Sequence, residues 1–491
     1  MNPVATTPFK AGHHEPMADQ PGPPPFSSDA VRSMIVGLDR EAPLLGGGAR
    51  PYVNLDNAAT TPPWRAVVDK VNAFIPWYSS VHRGTGFKSL LSTQVYDQCH
   101  EAVARFVGAD PQYHTVIFCC NTTLAINKVA RLLRLAPGEK VLTTILEHHS
   151  NILPWRKAGP VAYVGLRDER GALDLDDLAQ KLCEAAGRVR LVAVSGASNI
   201  TGHLPPLRAI ARLAHQHGAW LLVDAAQLAA HLPIRMGGAE DPERIDFLAF
   251  SGHKLYAPYG TGVLVGPRRF FEAAAPNTVG GGTVKLVTLE DVEWADLPER
   301  EEAGSPNVVG ALALAESIRI LEQLDREALA RNERELTAHL LDRLAGLSGL
   351  RVYGDPDPAG VGDRLGVVPI LAEALTHAEL AAALGYEWGI GVRHGCFCAN
   401  PYTQRLLGID DEGIREHLRQ VRAGDLSRLP GLVRISLGLY NTRAEIDYLC
   451  EALESILRHG PRGRYRLDKA TGQVFPEDAP RPPERFFSLS D

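Results

Sequence analysis

The apolar run Phe247-Leu248-Ala249-Phe250 ends in Ser251-Gly252-His253-Lys254, which places an imidazole and a primary amine at the end of a strand. A second run, Trp220-Leu221-Leu222-Val223, ends in Asp224 with Gln227 shortly after, and a third, Leu191 to Val194, leads to Ser198-Asn199. In parallel α/β sheets ligands bind beyond the carboxyl ends of the strands, so these polar endings belong to one edge. Taken singly, the lysine reads as a solvated loop residue and the aspartate as a helix cap or turn former. Two further segments alter that weighing. Asn121-Thr122-Thr123 stands between a strand and the start of a helix, where backbone N–H groups, hydroxyls and the positive helix end suit a phosphate. Glu147-His148-His149-Ser150-Asn151 follows the next strand and offers a flat imidazole to a ring, although His148 alone reads as a structural histidine held by backbone.

Thiols form the other reactive set. Cys396 and Cys398 lie in Val392-Arg393-His394-Gly395-Cys396-Phe397-Cys398-Ala399-Asn400-Pro401, a loop with a nearby cation in which thiolate is favoured. Cys99, Cys119, Cys120, Cys183 and Cys450 sit in apolar segments and read as inert core residues. The Cys-x-Cys pair beside His394 lacks a second ligand pair at zinc-site spacing, so no metal is expected. Gly260-Thr261-Gly262 follows the lysine motif and has no third correctly spaced glycine; it reads as a turn, not a dinucleotide fingerprint.

These segments must be positioned by an alternating framework. Thr115 to Phe118, Lys140 to Ile145, Leu191 to Ser195, Trp220 to Asp224, Phe247 to Phe250 and Gly262 to Val265 read as strands. Leu124 to Leu135 and Leu207 to His217 have helical period, and the alternation argues for an α/β fold with a mostly parallel sheet. Beyond Gly310 the Ala/Leu/Glu/Arg-rich stretches Ala311 to Leu324 and Glu327 to Leu347 read as helices leading into a smaller C-terminal α/β domain. The expected organisation is a disordered arm over 1–45, a large domain over 46–308 whose N-terminal segment packs on the small domain, the small domain over 309–459, and an appended tail over 460–491. Ordered structure is expected from near Tyr52, because Pro21-Gly22-Pro23-Pro24-Pro25 cannot join a helix or sheet interior. No repeat at periods of about 20–50 residues is evident, which argues against a solenoid or propeller.

With 491 residues, 45% of them hydrophobic, the chain can bury a large core. Its net charge of -7 favours neither nucleic acid nor an acidic membrane surface, so the expected ligand is small. Seven cysteines with no Cys-x-x-Cys pattern, no secretory signal and no long apolar stretch point to free thiols in a reducing cytoplasm.

From about Leu55 to about Ile456 the chain resembles the class V aminotransferase superfamily of fold-type I pyridoxal-phosphate (PLP) enzymes, and within it the cysteine desulfurases. The resemblance is carried by Leu55-Asp56-Asn57-Ala58-Ala59, His82-Arg83-Gly84, Asn121-Thr122-Thr123, Glu147-His148-His149-Ser150-Asn151, Ser198-Asn199 with Gly202, Val223-Asp224-Ala225-Ala226-Gln227, Ser251-Gly252-His253-Lys254 and Gly304-Ser305-Pro306-Asn307. It implies that Lys254 holds PLP as a Schiff base and that Asp224 pairs with the pyridinium nitrogen, which lets the ring act as an electron sink. It further implies that His148 stacks on the ring, that Asn199 and Gln227 touch its O3' side, and that Thr122, Thr123, Ser251 and His253 hold the phosphate. Thr283, in Gly281-Gly282-Thr283, is implied to reach the phosphate of a second subunit, hence a homodimer.

The resemblance to desulfurases places Arg393 and Arg434 on the substrate carboxylate and makes Cys398 the nucleophile that takes sulfur from L-cysteine, leaving a persulfide and L-alanine. Lys254 would then move the α-proton, with His148 as a proton carrier and a protein as possible sulfur acceptor. The run Gly395-Cys396-Phe397-Cys398 and the charged insertion through Gly408-Ile409-Asp410 are more similar to the desulfurase domain of molybdenum-cofactor sulfurases, which carry a further cysteine where this chain has Thr403. Two alternatives stand beside this reading: another reaction of the same superfamily, such as a lyase, epimerase or aminotransferase, and a catalytically silent PLP-binding scaffold.

Overall fold

The computed structural model describes residues 27–478 and 485–489. The expected disorder of residues 1–26, and residues 479–484 and 490–491 of the tail, lie outside the described residues.

Strands form where apolar and β-branched residues run without interruption. Seven make the large sheet: β1 (His114–Cys119), β2 (Lys140–Thr144), β3 (Val161–Val164), β4 (Val189–Ser195), β5 (Trp220–Asp224), β6 (Phe247–Ser251) and β7 (Gly262–Pro267). Their spatial order is β1-β7-β6-β5-β4-β2-β3, with every pairing parallel except the two made by β7. Leu191 to Val194, Leu221 to Val223 and Phe247 to Phe250 are buried on both faces, which is why they read as continuous apolar runs rather than alternating ones. Helices α1 (Thr122–Leu132) and α2 (Leu207–Gln216) follow β1 and precede β5.

The small domain holds a four-stranded antiparallel sheet: β8 (Leu350–Val352), β9 (Val367–Ala372), β10 (Arg393–Gly395) and β11 (Leu432–Ser436), in the order β8-β9-β11-β10. The expectation of a large mostly parallel sheet with a smaller C-terminal α/β unit is borne out. Helix α3 (Val308–Gln323) is apolar nearly all round and packs on Phe74, Tyr96 and Cys99 of the large unit. Helix α4 (Arg326–Ala345), capped by Asp325, turns its Leu336, Leu340 and Leu344 onto the small sheet with α5 (His377–Trp388) and α6 (Arg443–His459). The chain thus crosses between units at Leu324-Asp325, later than the expected stretch near Ala303 to Val309. Residues 53–54 pair in parallel with 390–391, which ties the N-terminal segment to the small unit.

Three expectations need correction. Order begins before Tyr52: Ser28–Ser33 is helical, with Val31 and Ile35 buried, and Glu41–Pro43 pairs with Ala49–Pro51. The tail is not featureless, since Tyr465–Asp468 and Gln473–Pro476 form a hairpin whose Val474 packs on Ala378 and Ala382 of α5. Alternation over these few residues is too short to register as a periodic signal. Cys120 and Cys183 are exposed, not core: Cys120 lies past the last pair of β1, and Cys183 takes the solvent side of a helix that buries Leu178 and Leu182.

No described helix is long and apolar enough to cross a membrane.

Candidate functional site

A cavity of about 320 Å³ opens at the carboxyl edge of the large sheet, against the small unit. Lys254, Asp224, His148, Asn199, Gln227, Thr122, Thr123, Ser251, His253, Arg393, Arg434 and Cys398 all line it. Of the expected site residues only Thr283 stands apart, fully buried with its hydroxyl donated to Gly280 O at 2.8 Å.

One end is built around the start of α1. Asn121 caps the helix by accepting from Leu124 N–H at 2.9 Å. The Thr122 amide donates to Ser251 Oγ at 2.8 Å, and the two hydroxyls lie 2.6 Å apart. Thr123 Oγ1 lies 2.7 Å from Ser150 Oγ, while the Thr123 amide has no partner among the described residues. A free amide, hydroxyls and a positive helix end make an anion seat. Gly262 is required there: it faces Cys119 on one side and Ser251 on the other, and a Cβ would fall 2.5 Å from the Asn121 backbone.

Asp224 and Lys254 form the floor. Asp224 Oδ1 accepts from Ala226 N–H at 3.0 Å, and its other oxygen has no partner among the described residues. Burial pushes the Asp224 carboxyl above the usual range, against the Ala226 amide and the Lys254 charge. The Lys254 amine has no hydrogen bond or ion pair among the described residues; burial pulls it down to about 8, with Asp224 opposing and Arg434 assisting. His148 Nδ1 accepts from Ser150 N–H at 3.1 Å, which leaves the ring proton on Nε2. Burial and then Lys254 lower both His148 and His253 to about 4, so both rings are neutral near pH 7.

Residues without an assigned role hold this wall in place. Glu147 is 1% exposed and joins the ends of β2 and β4: its oxygens take Thr144 Oγ1 at 2.5 Å, Ser195 N–H at 3.0 Å, Ser195 Oγ at 2.6 Å and Asn151 Nδ2 at 2.6 Å. Burial raises its carboxyl to about 7 despite these bonds. The signal in the sequence was its place directly before His148 inside a polar run closing a strand.

The opposite wall comes from the small unit. Sheet register sets Arg393 of β10 directly opposite Arg434 of β11, and Asp56 lies between them, 3.0 Å from Arg393 Nε and 2.9 Å from Arg434 Nη2. Arg434 also donates to Asn199 O at 2.9 Å and lies 4.9 Å from the centre of the Phe397 ring. Asp56 had been visible only as part of a motif, with no role attached.

Phe397 and Cys398 adopt consecutive left-handed conformations, with φ of 52° and 55°. Each costs about 1–2 kcal/mol for a residue with a side chain. The loop is held there by Asn199 Nδ2 on Phe397 O at 2.8 Å and by His149 N–H on Cys398 O at 2.7 Å. Cys398 is thereby exposed at the cavity, near enough to Lys254 and Arg434 that a thiolate would favour both cations. Cys396 points away and donates to Pro430 O at 2.8 Å; burial raises it to about 11, which corrects the expectation of a thiolate there.

A family model described as aminotransferase class-V matches residues 53–449. The chain is 36% identical over 451 residues to a probable cysteine desulfurase of Aeropyrum pernix, covering 88% of this chain and 99% of that one. It is 33% identical over 440 residues to a probable cysteine desulfurase of Halalkalibacterium halodurans, covering 87% and 98%. Among solved structures, an apo cysteine desulfurase from Thermococcus onnurineus NA1 aligns with a TM-score of 0.72 at 30% identity, over 83% of this chain and 95% of that one. A cysteine desulfurase from Escherichia coli aligns at the same TM-score with 29% identity, over 88% and 99%. The family match runs through both sheets and every segment that lines the cavity, and the chain belongs to the class V aminotransferase family.

Proposed function

We propose that the protein is a PLP-dependent cysteine desulfurase that converts L-cysteine to L-alanine and retains the sulfur as a persulfide on Cys398. The observation that carries this reading is the presence of the Cys398 thiol in the same cavity as Lys254 and two arginines. The curated relatives that bear the name cysteine desulfurase support it.

The donor set fits the cofactor. Lys254 is an unpartnered amine suited to its aldehyde, Asp224 has an oxygen free for the ring nitrogen, and Thr122, Thr123, Ser251 and His253 surround the anion seat. Gln227, held by its bond to Ala58 O at 2.8 Å, and Asn199 stand at the ring's flank, and neutral His148 offers its face. When bound, PLP supplies an electron sink for the carbanion at the substrate α-carbon.

The chain's own residues do the rest. Arg393 and Arg434 hold the substrate carboxylate and fix the α-carbon over the lysine. Lys254, lowered to about 8, is partly neutral near pH 7 and takes the α-proton as a general base. His148 rests neutral with its proton on Nε2, so it adds no charge beside Lys254 before a proton is handed on to or from the substrate. The Cys398 thiolate attacks the substrate sulfur as the substrate Cβ–S bond breaks, and the electron pair stays with the carbon, which is then protonated to give alanine. The exposed loop can also present the persulfide to a protein acceptor.

A homodimer completes this reading, with the exposed Gly280-Gly281 turn of a second copy facing the phosphate and Thr283 reaching it once its bond to Gly280 O is released. Exposed Tyr78, which shares a groove with Gly281, Gly282 and Val284, and exposed Leu286 and Val287 on the strand that follows Thr283 favour such an association. Seven free cysteines suit a reducing cytoplasm.

Purified holoprotein mixed with L-cysteine and a reductant is expected to release alanine and sulfide in equal amounts. Cys398→Ala should keep the absorption of the bound cofactor and lose sulfide release; Lys254→Ala should lose both. Undiminished sulfide release by Cys398→Ala would exclude the reaction proposed here.

A further inference from the structure

The small sheet sets two guanidinium groups side by side, since Arg393 and Arg434 are register partners on adjacent antiparallel strands. Like charges directly opposite each other destabilise a sheet, so the pair needs a counter-charge. Asp56 supplies it from a segment far away in sequence, its two oxygens divided between the arginines at 3.0 and 2.9 Å. The carboxylate is fixed in turn by backbone: Asp56 bridges Ser436 in parallel, and the Asp56 amide donates to Asn54 Oδ1 at 3.2 Å. Arg434 is 2% exposed, and its Nε has no partner among the described residues, although Nη1 and Nη2 are both engaged. Arg393 donates only its Nε, which leaves its terminal nitrogens available at the cavity.

We propose that Asp56 is a positioning residue that holds Arg393 and Arg434 together and limits this end of the cavity to one net positive charge, so that the site selects amino acids carrying a single carboxylate. The inference rests on the amino-acid-binding role given above to the two arginines. Two cations and one fixed anion match one incoming carboxylate. A second acidic group on the substrate would find Arg393 already engaged, and the charge of Asp56, which lines the neighbouring cavity that Arg393 also borders, leaves no further net positive charge at this end to receive it.

Calorimetric binding of L-alanine and L-aspartate to the holoenzyme tests this without recourse to turnover. The wild-type protein should bind L-alanine more tightly. Asp56→Asn should shift the alanine-to-aspartate preference toward aspartate by at least tenfold, about 1.4 kcal/mol, while Asp56→Glu stays close to wild type. A merely structural role would weaken both ligands alike and leave the ratio unchanged, which would overturn the proposal. Tighter binding of L-aspartate than L-alanine by the wild-type protein, or binding of neither, would overturn it even if Asp56→Asn failed to fold. A shifted ratio in a protein that releases no sulfide from cysteine would keep the charge filter and remove the desulfurase reading.

Discussion

The backbone amide of His149 donates a 2.7 Å hydrogen bond to the carbonyl of Cys398. His149 follows β2 in the large unit and Cys398 follows β10 in the small one, so a single bond registers the thiol against the wall that carries His148. His149 begins a short 3₁₀ turn, and the extended residue before it, His148 with φ -61° and ψ 149°, is compatible with a following proline. His149→Pro therefore removes this N–H with little other change to the backbone. We expect His149→Pro to lower kcat for sulfide release by about tenfold with KM nearly unchanged, as loss of roughly one hydrogen bond implies. His149→Ala, which keeps the amide and loses the contacts of the ring with Asn400 N–H and with the His148 ring, should fall by less than half as much on a logarithmic scale.

Glu147 is the buried joint between β2 and β4, and its four contacts cannot be met by a hydrocarbon. Glu147→Leu should cost about 3 kcal/mol or more in urea unfolding, since several buried polar groups lose their partner at about 1–3 kcal/mol each. Glu147→Gln should cost less. Its folded-state value of about 7 lies above the ordinary glutamate value of 4.5, so the folded protein binds the extra proton in that window. The contribution of Glu147 is thus full below pH 4.5 and is lost as pH rises toward 7. Subtracting the pH–stability curve of Glu147→Gln from that of the wild type should isolate this falling slope from the opposite slope of the buried histidines.

Cys398 holds a left-handed backbone that suits glycine. Cys398→Gly should be more stable than Cys398→Ala by about 0.5–1 kcal/mol, the relief of the left-handed strain exceeding the greater unfolded-state freedom of glycine. Both variants should lose sulfide release and keep cofactor absorption. Equal unfolding midpoints for the two would show that the loop relaxes once the thiol is gone.

Gly262→Ala puts a methyl group where Asn121 backbone now lies. The overpacking should cost about 1–3 kcal/mol. Because the displaced residue caps α1, the variant should lose affinity for PLP while binding of unphosphorylated pyridoxal changes little. Equal losses for the two ligands would place the anion seat elsewhere.

Much of this site could be read from the chain because its parts close strands. Lys254, Asp224, Asn199 and Thr122 each follow an apolar run, and a parallel sheet brings such endings to one edge without further information. Asp56 was different: it is 337 residues from Arg393, and only the register of a small antiparallel sheet together with the pairing of residues 53–54 and 390–391 brings them together. Glu147 looked like part of a binding segment and is instead a structural joint, a distinction set by burial. Cys396 and Cys398 share one composition, and the direction of each side chain alone separates a donor to Pro430 O from an exposed thiol. The helix at Ser28–Ser33 and the hairpin in the tail were missed because short elements held by tertiary contacts leave little local pattern.

The reversed strand β7 has a mechanical consequence. Strand ends two places apart in a sheet are separated by about 10 Å, too far for direct contact in a row of equal teeth. At β7 the chain enters the sheet where its neighbours leave it, and the entering residue has no side chain, so the comb has a gap between β1 and β6. Thr122 and Ser251 lean into that gap and touch. The helix that would grip the anionic end of the ligand and the turn that carries the amine are therefore coupled as one stiff jaw, and a displacement of either should be transmitted to the other at nearly full amplitude.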